Sequence, residues 1–392
     1  MVLVITFQVR LVDCEPEVNR SRTLYVPYMS VKQKGNSDNE SANASMSVRT
    51  GRECFRALSM PEVVTLASGV YRVRASVPSR SKATADMVQT DEAFWTIFSF
   101  HFLSGEAFTK ADCDAGLTRA VLDATTARRL FGTTDAVGHT VQLDYVDYTV
   151  AGVVADVSML ATAAYAQIWV PYTAAGAEAM SWQNDTMGPM HAIILARSSA
   201  DFDAIREETE LLRKKYNDGL QDVEVFYRGQ PDTQLAYLYR RWYAEPDVPG
   251  VMLRYAIVVI ILLLVPAVNL SGMTLSRMRR RMAEIGVRKA FGATGGELMR
   301  QVFFENLVLT LLAGIVGLAL SYVAAFALNG FLFSNSMNAS LSGETALTPG
   351  MLLSPWAFIA AFAFCLLMNI LSAGIPAWRA SRMNITDAIN QR

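Results

Sequence analysis

Hydrophobic and polar positions follow two different regimes along the chain. Up to about residue 250 the apolar positions come in short groups. Thr23–Tyr28 and Gly69–Val77 alternate with the period of a half-buried strand, and Pro61–Ala67 between them reads as more helical. Thr118–Leu122 is predicted as a strand and Ala124–Phe131 as a short helix that stops at Gly132. Thr140–Leu143 and Tyr148–Val154 form a predicted hairpin around Asp144–Asp147. Strands at Gln167–Pro171 and His191–Ala196 and a charged helix over Asp201–Tyr216 follow, while Lys32–Asn43 reads as a polar loop. The order is that of small α+β units, not of a repeating βαβ pattern.

Beyond residue 250 the pattern changes to long uncharged runs. Tyr255–Ser276 contains no charged residue and is mostly branched aliphatic. At 1.5 Å rise per residue this run is about 33 Å long, enough for a hydrocarbon core of roughly 30 Å. Asn306–Phe333 and Trp356–Ala377 are two further candidate spans, the last opened by Ser354-Pro355. Core helices of a soluble protein carry a polar stripe, and these runs carry none. The expected fold class is therefore an α-helical membrane domain (251–392) joined to an α+β extracytoplasmic domain (10–250).

Charge sharpens this division. The 392 residues hold 35 Lys+Arg against 36 Asp+Glu, a net charge of −1, which argues against a partner recognised through bulk charge and so against nucleic acid. The sum conceals −7 over residues 1–250 and +6 over 251–392. Arg277, Arg279, Arg280, Arg281, Arg288, Lys289 and Arg300 crowd the loop 277–300, whereas 330–354 has no Lys or Arg. The positive-inside rule places the 277–300 loop and the C-terminus in the cytoplasm and residues 10–250 outside. Such a topology needs a span before residue 10. Met1–Val9, about 14 Å as a helix, is expected to be the outer end of a transmembrane helix whose start is missing; a short buried strand is the other reading.

Catalytic constellations are absent. His101, His139 and His191 share no metal-ligand spacing with a cysteine, and there is no P-loop, G-x-S-x-G or H-E-x-x-H. Asp144 and Asp147 read as turn residues rather than a carboxylate pair. Cys14, Cys54 and Cys113 allow at most one disulfide and compel none. No cofactor is expected in the chain, and it is not expected to be an enzyme.

The densest information lies in the 277–300 loop. Met282–Phe291 is made of good helix formers, Gly292 supplies a left-handed stop, and Thr294-Gly-Gly-Glu297 is a capping box that opens the next helix. A short amphipathic helix tethered at both ends to spans suits docking into a groove on a partner. A basic helix lying on anionic membrane lipid is the competing reading and explains Arg277–Arg281 well. Farther on, Ala313, Gly317 and Ser321 form a small-xxx-small ridge suited to close helix packing, either within the subunit or across a dimer.

The segment E-I-G-V-R-K-A-F-G-A at 284–293, followed by Glu305-Asn306-Leu307, resembles the FtsX-like domain of MacB-type ABC transporter permeases. Ile375-Pro376-Ala377-Trp378-Arg379-Ala380-Ser381-Arg382 is similar to the family's closing motif, although Ile385 stands where the family usually has Pro. DEAFWTIFSFHFLSGEAF (91–108), ARRLFG (127–132), VGHTV (137–141) and YTVAGVVADV (148–157) resemble its periplasmic core. The resemblance implies a permease subunit in the bacterial inner membrane, with one span before the periplasmic domain and three after it. It also implies an ATPase-coupling helix made of Glu284, Ile285, Gly286, Val287, Arg288, Lys289, Ala290, Phe291, Gly292 and Ala293. The implied partners are a cytoplasmic ABC ATPase that binds ATP and Mg, a second permease subunit and a periplasmic adaptor. The implied work is efflux, lipoprotein release or mechanical signalling. A membrane-anchored extracytoplasmic sensor or binding protein without an ATPase is the reading from a different class.

Overall fold

The computed structural model describes residues 13–262 apart from 39, 79–81 and 243, then 264, 287–288, 291–292, 294–327, 359, 362–364 and 366–367. The expectation for Met1–Val9 and most of the expected spans at 255–276 and 356–377 lie outside these residues. Two compact units divide between Val248 and Pro249.

The first unit is α+β. Its strands are β1 Thr23–Val26, β2 Met29–Gln33, β3 Ala42–Ala44, β4 Val63–Ser68, β5 Tyr71–Ser76, β6 Lys82–Thr90 and β7 Phe102–Gly105. They continue with β8 Arg119–Asp123, β9 Thr140–Leu143, β10 Val146–Val154, β11 Ile168–Pro171, β12 Met190–Leu195, β13 Val223–Phe226 and β14 Asp232–Thr233. The helices are α1 Val48–Gly51, α2 Phe94–Ile97, α3 Lys110–Asp114, α4 Ala124–Phe131, α5 Phe202–Asp218 and α6 Gln234–Tyr239.

Six strands pair into a closed ring, β6–β11–β8–β10–β9–β5 and back to β6. Alternate residues point inward, as the period of two requires. Val73 and Ala75 of β5, Ala85 and Met87 of β6, and Ile168 and Val170 of β11 share one buried core with Leu130 and Phe131 of α4. Helix α4 forms because Asp123 caps it, accepting a 2.7 Å hydrogen bond from the Thr126 N–H. It stops at Gly132, whose φ of +80° is the left-handed conformation that glycine adopts without a Cβ penalty.

The sheet continues from β6 through β4, β12 and β1 to β14. Leu24, Leu66 and Ile194 on this extension share a second core with Val31 and Val225 of the three-stranded sheet β13–β2–β3, with Phe55 just after α1, and with Ile205 of α5. Two expectations change. Residues 61–67 are not helical: β4 runs over Val63–Ser68, with β12 on one side and β6 on the other. Five of its six residues are buried, so both faces are covered and the alternation that marks a strand is lost. The hairpin turn tightens to Asp144 and Tyr145, both at positive φ, because β10 begins at Val146. Cys14, Cys54 and Cys113 are all buried and free, and burial pushes the Cys54 thiol up to about 11 and the other two to about 12.

In the second unit residues 249–262 are helical and α7 spans Gly295–Ala327. Among the described residues no helix is long and apolar enough to cross a membrane.

Candidate functional site

The 284–301 segment is the candidate site that sequence singles out. Val287 and Arg288 are helical, and the Phe291 N–H donates to the Val287 carbonyl at 3.1 Å. Gly292 follows at φ +94°, reversing the chain. The Thr294 N–H donates to Glu297 Oε2 at 3.0 Å while the Glu297 N–H donates to Thr294 Oγ1 at 3.3 Å, which is the reciprocal capping box that starts α7. Hydrogen bonds from Thr294 hold the Glu297 carboxyl below its ordinary range. Arg288 Nη1 donates to Gln301 Oε1 at 2.7 Å across the turn. The outcome is a turn fixed by its own backbone that leaves Phe291 89% exposed at its apex and Val287 exposed beside it. Glu284, Ile285, Gly286, Lys289, Ala290 and Ala293 lie outside the described residues.

On α7, Ala313 and Gly317 are exposed, and nothing described comes within 4 Å of a Cβ built on Gly317. Ser321 is buried, and its hydroxyl donates to the Gly317 carbonyl at 2.7 Å. At Gly314 a Cβ would meet Phe362 at 3.5 Å, so this glycine sits where a second helical segment packs.

Two buried ion pairs fix the ends of the first unit, and sequence reasoning missed both. Arg20 Nε donates to Glu17 Oε2 at 2.7 Å with both side chains 1% exposed. Arg20 also donates to the Leu160 carbonyl, and Glu17 Oε1 accepts from the Ala163 and Ala164 N–H groups at 2.7 and 3.0 Å. The entering chain is thereby clamped to the 158–165 loop. At the exit, Arg240 grips both carboxylate oxygens of Asp232 and donates to the Ala244 carbonyl at 3.0 Å and the Arg228 carbonyl at 3.1 Å. Burial pushes the Asp232 carboxyl up, and the Arg240 charge opposes that rise. Spacings of three and eight residues between ordinary surface residue types gave no signal of burial. Strands β1 and β14 pair, and Tyr25 stacks on Tyr237 at 4.5 Å, so the two clamped ends lie side by side. No group of three or more His, Cys, Asp or Glu suited to a metal occurs among the described residues.

An α+β domain and, in the other unit, a capped turn are both present, and comparison with known proteins gives their class. The family model for the MacB-like periplasmic core domain matches residues 15–212, and that for the FtsX-like permease C-terminal matches residues 256–385. The chain belongs to the MacB/FtsX family of ABC transporter permeases. The macrolide export ATP-binding/permease protein MacB of Escherichia coli strain K12 is 26% identical over 314 residues, covering 78% of this chain and 43% of that protein. Its namesake in Chromobacterium violaceum is 25% identical over 307 residues with the same coverages. The chain thus spans 43% of the length of these curated relatives. Among solved structures, the periplasmic region of MacB from Actinobacillus actinomycetemcomitans aligns at 17% identity and a TM-score of 0.37, covering 52% of this chain and 90% of that one. The extracellular domain of the noncanonic ABC-type transporter YknZ from Gram-positive bacteria aligns at 16% identity and the same TM-score, covering 51% and 99%.

Proposed function

We propose that the chain is the transmembrane subunit of a bacterial ABC transporter in which ATP and Mg are bound by a separate ATPase subunit docked on the 284–293 helix. ATP-driven closure of that contact would pass through the spans into residues 10–250, which act as a lever for export, lipoprotein release or mechanical signalling. The macrolide exporters among its relatives favour efflux. The observation that carries this reading is the turn itself. A left-handed glycine and a reciprocal cap set its shape, and an aromatic side chain 89% exposed stands at its apex. An exposed Phe on a pre-ordered turn loses little conformational entropy on docking, which is what an interface anchor requires.

The inner-membrane placement, with 10–250 periplasmic and 277–300 cytoplasmic, is supported by the charge asymmetry and by α7, where Val308, Leu312, Ile315, Val316, Leu320 and Val323 are all exposed. A continuous exposed apolar face along a helix calls for lipid or protein cover. A second permease subunit, packed through Ala313, Gly317 and Ser321, and a periplasmic adaptor complete the assembly in this reading.

The test is co-purification of an ATPase with the tagged full chain from its native membranes. Phe291→Ala is expected to lower recovery of the ATPase at least tenfold, and Glu284→Lys with Arg288→Glu to abolish it. Recovery unchanged by these substitutions, or no ATPase with the unaltered chain, would leave the membrane-anchored sensor as the better description.

A further inference from the structure

Beside the two clamped chain ends lies a cleft of about 410 Å³, within the roughly 300–1,000 Å³ range of small-molecule sites. Its walls come from β1 (Tyr25), β12 (His191, Ile193), the 158–165 loop (Met159) and α6 (Tyr237), and Gly69 lines it as well. Aromatic faces dominate: the Tyr25 and Tyr237 rings are stacked, and the Tyr28 ring lies 6.1 Å from His191.

Several polar groups on these walls are already occupied. Ser45 Oγ and His191 Nε2 pair at 2.8 Å, and the Tyr165 hydroxyl donates to Asp86 at 2.8 Å. Arg240, the one residue with a fixed charge on the lining, is held by Asp232 and two backbone carbonyls. The Tyr25 hydroxyl and Thr162 Oγ1 are different, neither having a hydrogen-bond partner among the described residues. Tyr25 is 2% exposed. Buried hydroxyls are nearly always paired, so an unpaired one on the wall of a cleft marks a position that a ligand atom can fill.

We propose that this cleft binds an uncharged aromatic small molecule carrying an oxygen that pairs with the Tyr25 hydroxyl. A charged ligand finds no free counter-charge on the walls and would give up its hydration without return. An aromatic one stacks on the tyrosine faces. The bound molecule touches the 158–165 loop, held by Glu17 and Arg20, and the α6 end, held by Asp232, so it bridges the segments where the chain enters and leaves the domain. The proposal is independent of ATPase docking, since every residue it uses lies between 17 and 240.

Benzophenone serves as the probe, being neutral and photoreactive, with two rings and one carbonyl acceptor. The full chain in lipid nanodiscs is irradiated over a range of probe concentrations, and adducts are mapped by mass spectrometry. Adducts on 251–392 report partition into lipid. Saturable labelling is expected on the cleft walls, foremost at Met159. Tyr25→Phe is expected to raise the half-saturating concentration about fivefold, the worth of one hydrogen bond. Gly69→Phe should abolish saturable labelling by filling the cleft. A Cβ at Gly69 meets only His191 Cε1, at 3.7 Å, an ordinary van der Waals contact, so this second variant tests the cleft without touching Tyr25. 4-Benzoylbenzoate, with the same rings and a carboxylate, should label at least tenfold more weakly. Absence of saturable adducts on the walls, labelling unmoved by Gly69→Phe, an unchanged half-saturation in Tyr25→Phe, or equal labelling by the carboxylate would each overturn the proposal.

Discussion

His191 shares one hydrogen bond with Ser45, and burial drives its pKa down to about 4 from 6.5. The folded state therefore favours the neutral ring. Its contribution to stability is complete above the unfolded value of 6.5 and is lost as pH falls from there through about 4. Asp91 and Asp123 act in the opposite sense. Burial raises both to about 6, so their contribution is complete below the unfolded 3.8 and is lost as pH rises through 6. The three overlap between pH 4 and 6, and His191→Gln separates them. The variant is expected to lose less stability than the unaltered chain between pH 6.5 and 4.5, read as melting temperature at each pH. Parallel profiles would show that His191 titrates normally. A second expectation concerns the exit clamp. Arg240→Met leaves the Asp232 carboxylate buried without a partner and should destabilise by about 3–5 kcal/mol, whereas adding Asp232→Leu should recover much of that. Denaturation of the single and double variants, with equal losses in both, would contradict it. None of these groups stood out in the sequence, because a histidine or an Arg–Asp pair acquires its character only from what covers it.

Elements were legible where local chemistry fixes them. The apolar spacing of 124–131 and Gly132 define α4 without tertiary help, and the structure keeps both of its predicted ends. The Thr294–Glu297 box was equally plain and forms as expected. Gly132→Ala forces a Cβ into the left-handed region and should cost about 1 kcal/mol, measured by denaturant unfolding; no change would mean the stop lies elsewhere. Strand β4 was misread because burial on both faces erased its alternation, and β6 went unnoticed because Ala83, Thr84 and Ala85 mark no period. Both are central strands, whose character is set by neighbours distant in sequence. Of the candidate site, the turn and cap were visible in residues 291–297, while the 89% exposure of Phe291 required the structure.

At the scale of the molecule, the first unit holds two cores on one continuous sheet. Ile168→Ala, in a side chain that the ring encloses completely, is expected to cost about 2–5 kcal/mol. Amide exchange should then accelerate in all six ring strands and much less in β13, β2 and β3. Uniform acceleration throughout 13–248 would show instead that the two cores unfold as one.

The closed ring also fixes an order of events during synthesis. Strand β6 pairs with β11, Met87 opposite Ile168, and β1 pairs with β14, Leu24 opposite Thr233. The ring can therefore close once Pro171 has emerged, whereas β1 waits for β14, so the sheet beyond the ring is completed last. The last strand emerges shortly before the apolar run at 255–276. Folding of the domain is thus completed only as the chain turns to its next hydrophobic segment, and a delay at that step leaves β1 without β14, an unpaired edge exposed to other chains.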